Sequence, residues 1–156
     1  MTQTPTLEVG AKAPDFSLPL SGGETRTLSD YAGRRLVLYF YPKDDTPGCT
    51  NEAKDFSEHA SAFAAKDTEI LGVSKDTVAK HARFADKHNL SVPLGSDAEG
   101  TVCEDYGVWV EKKMYGKTYM GIERTTVLIG PDGHVEEVWR KVKVKGHAQA
   151  VFERIP

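Results

Sequence analysis

A cysteine, a threonine and a proline share one short segment, "YPKDDTPGCTNEA", residues 41–53. Cys49 follows Pro-Gly directly and precedes a stretch with helical periodicity. A cysteine in the first turn of a helix lies near unpaired backbone N–H groups and the positive end of the helix dipole, which stabilise its thiolate form. Thr46 stands where a C-x-x-C motif would have its first cysteine, so dithiol exchange is excluded at this site.

A lone thiolate with a hydroxyl on the same loop has the parts needed for peroxide chemistry. The thiolate attacks one oxygen of the O–O bond and becomes a sulfenic acid, while a hydroxyl and a cation orient the peroxide. Lys43 favours the thiolate, whereas Asp44 and Asp45 oppose it. Local context alone leaves a second interpretation, in which Cys49 is an inert packing residue at a helix start.

The elements that must position Cys49 follow from hydrophobic periodicity. Apolar runs at 35–41, 69–74 and 125–130 predict buried strands, and patterns at 49–66, 77–88, 101–107 and 148–155 predict helices. Residues 16–20 and 24–29 predict an N-terminal β-hairpin, and 134–142 a strand antiparallel to the one before it. Lys141, Lys143 and Lys145, which alternate with valines, are predicted to lie on the polar face of a strand. Residues 110–121 are predicted to be a surface loop. The pattern indicates one α/β domain, residues 1–156, with a mixed β-sheet flanked by helices.

Composition narrows the class of protein. The chain has 156 residues, a formal net charge of -3 and a pI near 6.0, which argues against a nucleic-acid or membrane-surface binder. The N-terminal residues lack the pattern of a signal peptide, and no apolar run is long enough to span a membrane. We therefore expect a cytoplasmic protein whose two cysteines are free, catalytic or redox-cycling.

The remaining residue types predict no metal and no cofactor. The five histidines lack metal-ligand spacing, and His81 and His88, two helical turns apart, are predicted to face solvent or to cap the helix. No Gly-rich phosphate loop follows a strand. A cysteine-protease pairing of Cys49 with one of these histidines lacks a matching local signature.

The segment "PKDDTPGCTNEA" resembles the peroxiredoxin active-site motif Pro-x-x-x-Thr-x-x-Cys, and "YFYPKDDTPGCT" is similar to the bacterioferritin comigratory protein / PrxQ subfamily. The resemblance extends through "VGAKAPDFSLP", "ILGVSKDTVAKHARFADKHNLSVPLGSD" and "GIERTTVLIGPDG". It implies a thioredoxin-like fold, reduction of hydrogen peroxide or alkyl hydroperoxides, and a monomer.

The same resemblance implies the roles of four residues. Cys49 is the peroxidatic nucleophile, Thr46 orients the peroxide, and Pro42 shields the sulfur from water. Arg124, in "GIERTTVLIG", supplies the cation that stabilises the thiolate and polarises the peroxide. Without the resemblance, Arg124 would be interpreted as a surface residue, and Arg34, Arg35 and Lys43 would compete for its role.

The sequence departs from the subfamily pattern at the resolving cysteine. Many members carry a second cysteine five residues after the first, where this chain has Lys54. Cys103 is then a buried hydrophobe, an intramolecular resolving residue or a partner in an intermolecular disulfide. In the first case the enzyme is one-cysteine in type, and thioredoxin, glutaredoxin or a small thiol restores it. A redox sensor or thiol-based scaffold that uses the same sulfenic acid is the alternative function.

Overall fold

The computed structural model describes residues 7–156, in which strands and helices alternate. In chain order the strands are β1 (Ser17–Pro19), β2 (Thr25–Thr27), β3 (Arg35–Phe40), β4 (Thr68–Ser74), β5 (Leu94–Ser96), β6 (Trp109–Met114), β7 (Lys117–Ile122), β8 (Thr125–Ile129) and β9 (Val135–Trp139). The helices are α1 (Pro47–Ala64), α2 (Val78–His88), α3 (Val102–Asp105) and α4 (His147–Arg154), with a 3-10 turn at Leu28–Tyr31. None of the helices in 7–156 is long and apolar enough to cross a membrane.

Five strands form the central sheet in the order β5-β4-β3-β8-β9. β3 and β4 are parallel, as are β4 and β5, whereas β8 runs antiparallel to both β3 and β9. Phe40, the last residue of β3, pairs with Thr125, the first residue of β8. Because these two strands run in opposite directions, the loop that leaves β3 and the residue that enters β8 meet at the same edge of the sheet.

The residues of β3 alternate between two hydrophobic clusters, one on each face of the sheet. Leu36, Leu38 and Phe40 belong to the cluster that also contains residues of β1 and α3. Val37 and Tyr39 belong to the other cluster, to which α1, α2 and α4 contribute. Each fully buried large apolar side chain contributes roughly 1.5–3 kcal/mol. The predicted mixed sheet with helices on both faces is confirmed, and β1 and β2 form the predicted N-terminal hairpin.

Helix α1 begins at Pro47, two residues earlier than predicted. Thr46 precedes it in an extended conformation, and Pro47 suits the first turn because proline has no N–H to leave unpaired. The apolar stripe of α1 includes Ala53, Phe56 and Phe63, all buried against the sheet. Cys49 is therefore the third residue of the helix and remains within its first turn.

Two predictions of local secondary structure are wrong. Residues 110–121 form the β6–β7 hairpin instead of a loop, with Tyr115 and Gly116 at its two-residue turn, both at positive φ (52° and 76°). The sequence pattern did not indicate these strands, because both faces of the hairpin are largely exposed and carry polar side chains. The lysines of 141–145 are not on a strand, since β9 ends at Trp139 and Lys141 adopts a left-handed conformation with φ of 49°.

Candidate active site

Cys49 lies in the first turn of α1, beneath the sheet edge where β3 ends. Its side chain is buried, with 2% of the residue exposed, and packs in the cluster that contains Tyr39 and Tyr41. The N–H groups of a helical first turn have no intrahelical acceptor, so they and the helix dipole favour a negative charge here. Cys49 therefore packs among apolar side chains at the N-terminus of α1.

Arg124 brings a cation to that sulfur from the other strand at this edge. It immediately precedes β8, and its Nη2 donates to Cys49 Sγ at 3.4 Å. A side chain at Gly48 would place its Cβ 3.2 Å from Nη2, so the glycine leaves room for the guanidinium. The pairing of β3 with β8 thus brings Arg124 to the sulfur. From the sequence alone, other arginines and lysines were candidates for this role.

The second nitrogen of the same guanidinium binds a buried carboxyl group. Arg124 Nη1 donates to Glu52 Oε1 at 2.7 Å, and Glu52 is only 1% exposed. Burial alone would lower the pKa of Arg124, but Glu52 and Cys49 outweigh it, and the pKa is raised. The cation is therefore held firmly in its charged form by two acidic groups.

Sequence reasoning missed Glu52, although a signal was present. Glu52 is three residues after Cys49 and four before Phe56, which places a carboxyl group on the buried stripe of α1. An acidic residue on an apolar helix face requires a buried partner. That partner is Arg124, which only the tertiary structure brings near.

Thr46 and Pro42 lie on the loop that joins β3 to α1. Thr46 Oγ1 donates its proton to the carbonyl oxygen of Lys43 at 2.8 Å. Because its proton is used in this way, the lone pairs of the hydroxyl are left free to accept a hydrogen bond. Pro42 follows Tyr41 directly and is exposed at the start of the loop.

The two loop aspartates, expected to oppose the thiolate, have their own partners on α2. Asp44 is buried and accepts from the Tyr41 hydroxyl at 2.6 Å, while His81 Nδ1 lies 2.6 Å from its other oxygen. Asp45 lies 2.8 Å from both Lys87 Nζ and His88 Nε2. Both aspartates thus interact with side chains of α2.

The prediction that His81 faces solvent or caps its helix is wrong, because its side chain is fully buried. Its Nε2 lies 3.0 Å from the Gly95 carbonyl oxygen, which only accepts, so Nε2 carries a proton. Nδ1 is hydrogen-bonded to Asp44 Oδ2. The arrangement ties the loop before Cys49 to α2 and β5.

Asp44, Asp76 and His81 also form a grouping with metal-like spacing among the described residues, their ligand atoms within 4.8 Å of one another. Hydrogen bonds within the protein occupy these atoms: Asp76 Oδ2 accepts from the Asp44 N–H and from the Ser74 hydroxyl. The grouping is accounted for by the protein's own hydrogen bonds.

Cys103 lies on the far side of the sheet from Cys49. It is fully buried in α3 and packs in the cluster on the opposite face, with its backbone N–H donating to Asp97 Oδ2 at 2.8 Å. Burial, and then the Asp97 carboxylate, raise the pKa of the Cys103 thiol. Neither cysteine forms a disulfide. Lys54, which stands where many subfamily members carry the resolving cysteine, is exposed on α1.

Comparison with known proteins decides the family. The sequence profile of the AhpC/TSA family matches residues 9–138. The chain belongs to the AhpC/TSA family. It is 51% identical to the peroxiredoxin Bcp of Bacillus subtilis over 150 residues, 96% of each chain. It is 43% identical to the peroxiredoxin Bcp of Escherichia coli over 146 residues, 94% of each chain.

Solved structures agree with this membership. The fold matches the bacterioferritin comigratory protein of Xanthomonas campestris with a TM-score of 0.88 and 48% identity, over 96% of this chain and 95% of that one. It matches a PrxQ variant of Xylella fastidiosa with a TM-score of 0.90 and 41% identity, over 95% and 94% of the two chains. The predicted thioredoxin-like fold and the resemblance to Bcp/PrxQ peroxiredoxins are confirmed. This peroxiredoxin is an enzyme, a thiol-dependent peroxidase, and the sensor alternative is not favoured.

Proposed function

We propose that this peroxiredoxin reduces hydrogen peroxide and alkyl hydroperoxides by direct attack of the Cys49 thiolate. The observation that carries the assignment is the 3.4 Å contact between Arg124 Nη2 and Cys49 Sγ at the N-terminus of α1. The related Xanthomonas campestris protein was studied for alkyl peroxide reduction, which supports this substrate class. A guanidinium at this place stabilises the thiolate and the charge that develops on the peroxide in the transition state.

The chemical step is a two-electron oxidation of sulfur. The thiolate attacks the terminal oxygen of the hydroperoxide, an S–O bond forms and the O–O bond breaks. Cys49 becomes a sulfenic acid, and the leaving oxygen takes up one proton to give an alcohol, or water from hydrogen peroxide. Thr46 accepts a hydrogen bond from the hydroperoxide and so orients it, and Pro42 limits the access of water at the loop.

An external thiol completes the cycle in this proposal. Cys103 is buried on the opposite face of the sheet, so a Cys49–Cys103 disulfide needs extensive rearrangement. Thioredoxin, glutaredoxin or a small thiol attacks the sulfenic acid, releasing water and forming a mixed disulfide, and a second thiol frees Cys49. Since Cys49 is 2% exposed, the first turn of α1 must open for that attack.

The mass of the intact protein after one equivalent of peroxide, without reductant, tests this cycle. We expect a gain of one oxygen in the wild type and in Cys103→Ala, and no change in Cys49→Ser. Loss of two hydrogens in the wild type alone would instead assign resolution to Cys103. A doubled mass would indicate an intermolecular disulfide, and oxidation of Cys49→Ser would overturn the nucleophile assignment.

Turnover with a donor thiol tests the enzyme cycle itself. Purified protein with a thioredoxin system should consume many equivalents of peroxide, and a glutathione–glutaredoxin system should be compared under the same conditions. Oxidation that stops at one equivalent with every donor contradicts the proposal.

The cytoplasmic location and the monomeric state of this protein stay predictions. Analytical sedimentation would measure the oligomeric state.

A further inference from the structure

Glu52 is a buried carboxyl group with an incomplete set of partners. Its Oε1 accepts from Arg124 at 2.7 Å, but its Oε2 is buried without a hydrogen-bond partner. The Tyr39 hydroxyl is a second buried polar group without a partner. An ionised carboxylate oxygen left unpaired in the interior is costly, and protonation of the carboxyl removes the cost of burying its charge.

The charges around Arg124 do not balance when both of its acidic neighbours are ionised. One guanidinium contacts Cys49 Sγ and Glu52 Oε1, so a thiolate and a carboxylate together leave a net negative charge in a buried site. A protonated Glu52 restores neutrality while Cys49 is a thiolate. Once Cys49 is a neutral sulfenic acid, an ionised Glu52 restores it instead.

The surroundings of Glu52 shift its pKa in opposite directions. Burial raises the pKa of Glu52 to about 7, an effect that Arg124 partly offsets and that Asp55, on the same helix, slightly increases. Tyr39, from β3, remains a neutral phenol because burial, and then Glu52, raise its pKa. A carboxyl in this setting is poised to gain or lose a proton when the charge on Cys49 changes.

Two further basic groups face Arg124 from other elements. Burial, and then Arg124, lower the pKa of Lys112 on β6. The same two causes lower the pKa of His147 on α4 to about 4, so this imidazole is neutral near pH 7. His147 therefore leaves the balance between Glu52 and Cys49 undisturbed.

We propose that Glu52 positions Arg124 and holds the proton of the site, being protonated while Cys49 is a thiolate and ionised once Cys49 is a sulfenic acid. The inference rests on the proposed attack of Cys49 on a hydroperoxide. In that step the S–O bond forms, the O–O bond breaks, and the leaving oxygen gains one proton while Glu52 loses one. Arg124 then has one ionised partner before and after the reaction, and the site takes up no proton from solvent.

Proton counting during a single oxidation tests the inference. Wild type and Glu52→Gln are mixed with one equivalent of hydrogen peroxide at about pH 6.5 in weak buffer with an indicator dye, after absorbance near 240 nm shows that Cys49 is a thiolate in both. Glutamine keeps an oxygen for Arg124 Nη1 and carries no titrating proton. We expect uptake of about one proton per chain in the variant and well under half of that in the wild type.

A matched control and a second readout keep the outcome decisive. Glu58→Gln, on the exposed part of the same helix, should match the wild type. In the wild type, the infrared difference spectrum should lose a protonated-carboxyl band on oxidation. Equal proton uptake in wild type and Glu52→Gln, or a carboxyl band that persists, overturns the inference. If mass spectrometry finds neither an oxygen added to Cys49 nor a disulfide that contains it, the proposed function itself has failed.

Discussion

Arg124 and Cys49 are 75 positions apart in the chain, yet Nη2 of the arginine lies 3.4 Å from the sulfur of the cysteine. The contact exists because β8 pairs antiparallel with β3, so that Arg124 enters the sheet beside the loop that carries Cys49. The same guanidinium binds Glu52 with its other nitrogen. The surroundings of the Cys49 sulfur therefore depend on strand pairing as well as on the cysteine motif.

Replacing Arg124 by alanine should slow peroxide reduction by about 10²–10³-fold, because the variant loses a donor that stabilises the transition state. The thiolate fraction at pH 7, measured by absorbance near 240 nm, should fall as well. Arg34→Ala is a suitable control, since Arg34 pairs with Glu69 at the surface. An unchanged thiolate fraction and rate in Arg124→Ala would remove this arginine from the proposed site.

Replacing Thr46 by valine should lower the rate of Cys49 oxidation by about tenfold or more, the loss expected for one hydrogen bond of about 1.4 kcal/mol. Thr46→Ser keeps the hydroxyl that donates to the Lys43 carbonyl and should retain most of the rate. Stopped-flow measurement with hydrogen peroxide checks both variants. Equal rates for serine and valine at this position contradict an orienting role for the hydroxyl.

Replacing His81 by alanine should lower the free energy of unfolding by about 3–5 kcal/mol, because it leaves the buried Asp44 carboxyl with only the Tyr41 hydroxyl as a side-chain partner. Urea unfolding followed by circular dichroism measures the change. His134→Ala, at an exposed turn, is the matched control and should change stability by less than about 0.5 kcal/mol. A loss of similar size in both variants would show that the Asp44–His81 pair contributes little.

His147 should make the protein less stable in acid. Its pKa is lowered from 6.5 to about 4 in the folded state by burial and then by Arg124. Between those values the unfolded chain binds the proton and the folded chain does not, so the free energy of unfolding falls as pH drops from about 6.5 to about 4.

The variant His147→Gln isolates this effect. The loss of stability between pH 7 and pH 4 should shrink by about 2 kcal/mol relative to the wild type, a figure reduced to allow for partial exposure to solvent. Urea unfolding at several pH values measures it. Glu52, whose pKa is raised, contributes with the opposite sign between pH 4.5 and about 7 and is unaltered in this comparison. Parallel curves for the two proteins would contradict the prediction.

The strands β3, β4 and β8 were predictable because each is a buried run of apolar, mostly branched or aromatic residues bounded by turn residues. The β6–β7 hairpin was not, since a strand pair exposed on both faces lacks the alternation that marks a buried face. His81 was misassigned for a related reason. Its burial depends on Asp44, which lies 37 positions earlier.

The sequence by itself determined the motif around Cys49, the family that it resembles and the main elements of the fold, because short motifs and local apolar periodicity encode them. Tertiary structure decided which charged groups surround the sulfur. Arg124 and Glu52 meet only because β8 lies beside β3 and the buried face of α1 covers that edge. Cys103 is separated from Cys49 by the sheet, since alternate residues of β3 face opposite clusters. Such distances depend on packing between elements remote in the chain, which no local pattern specifies.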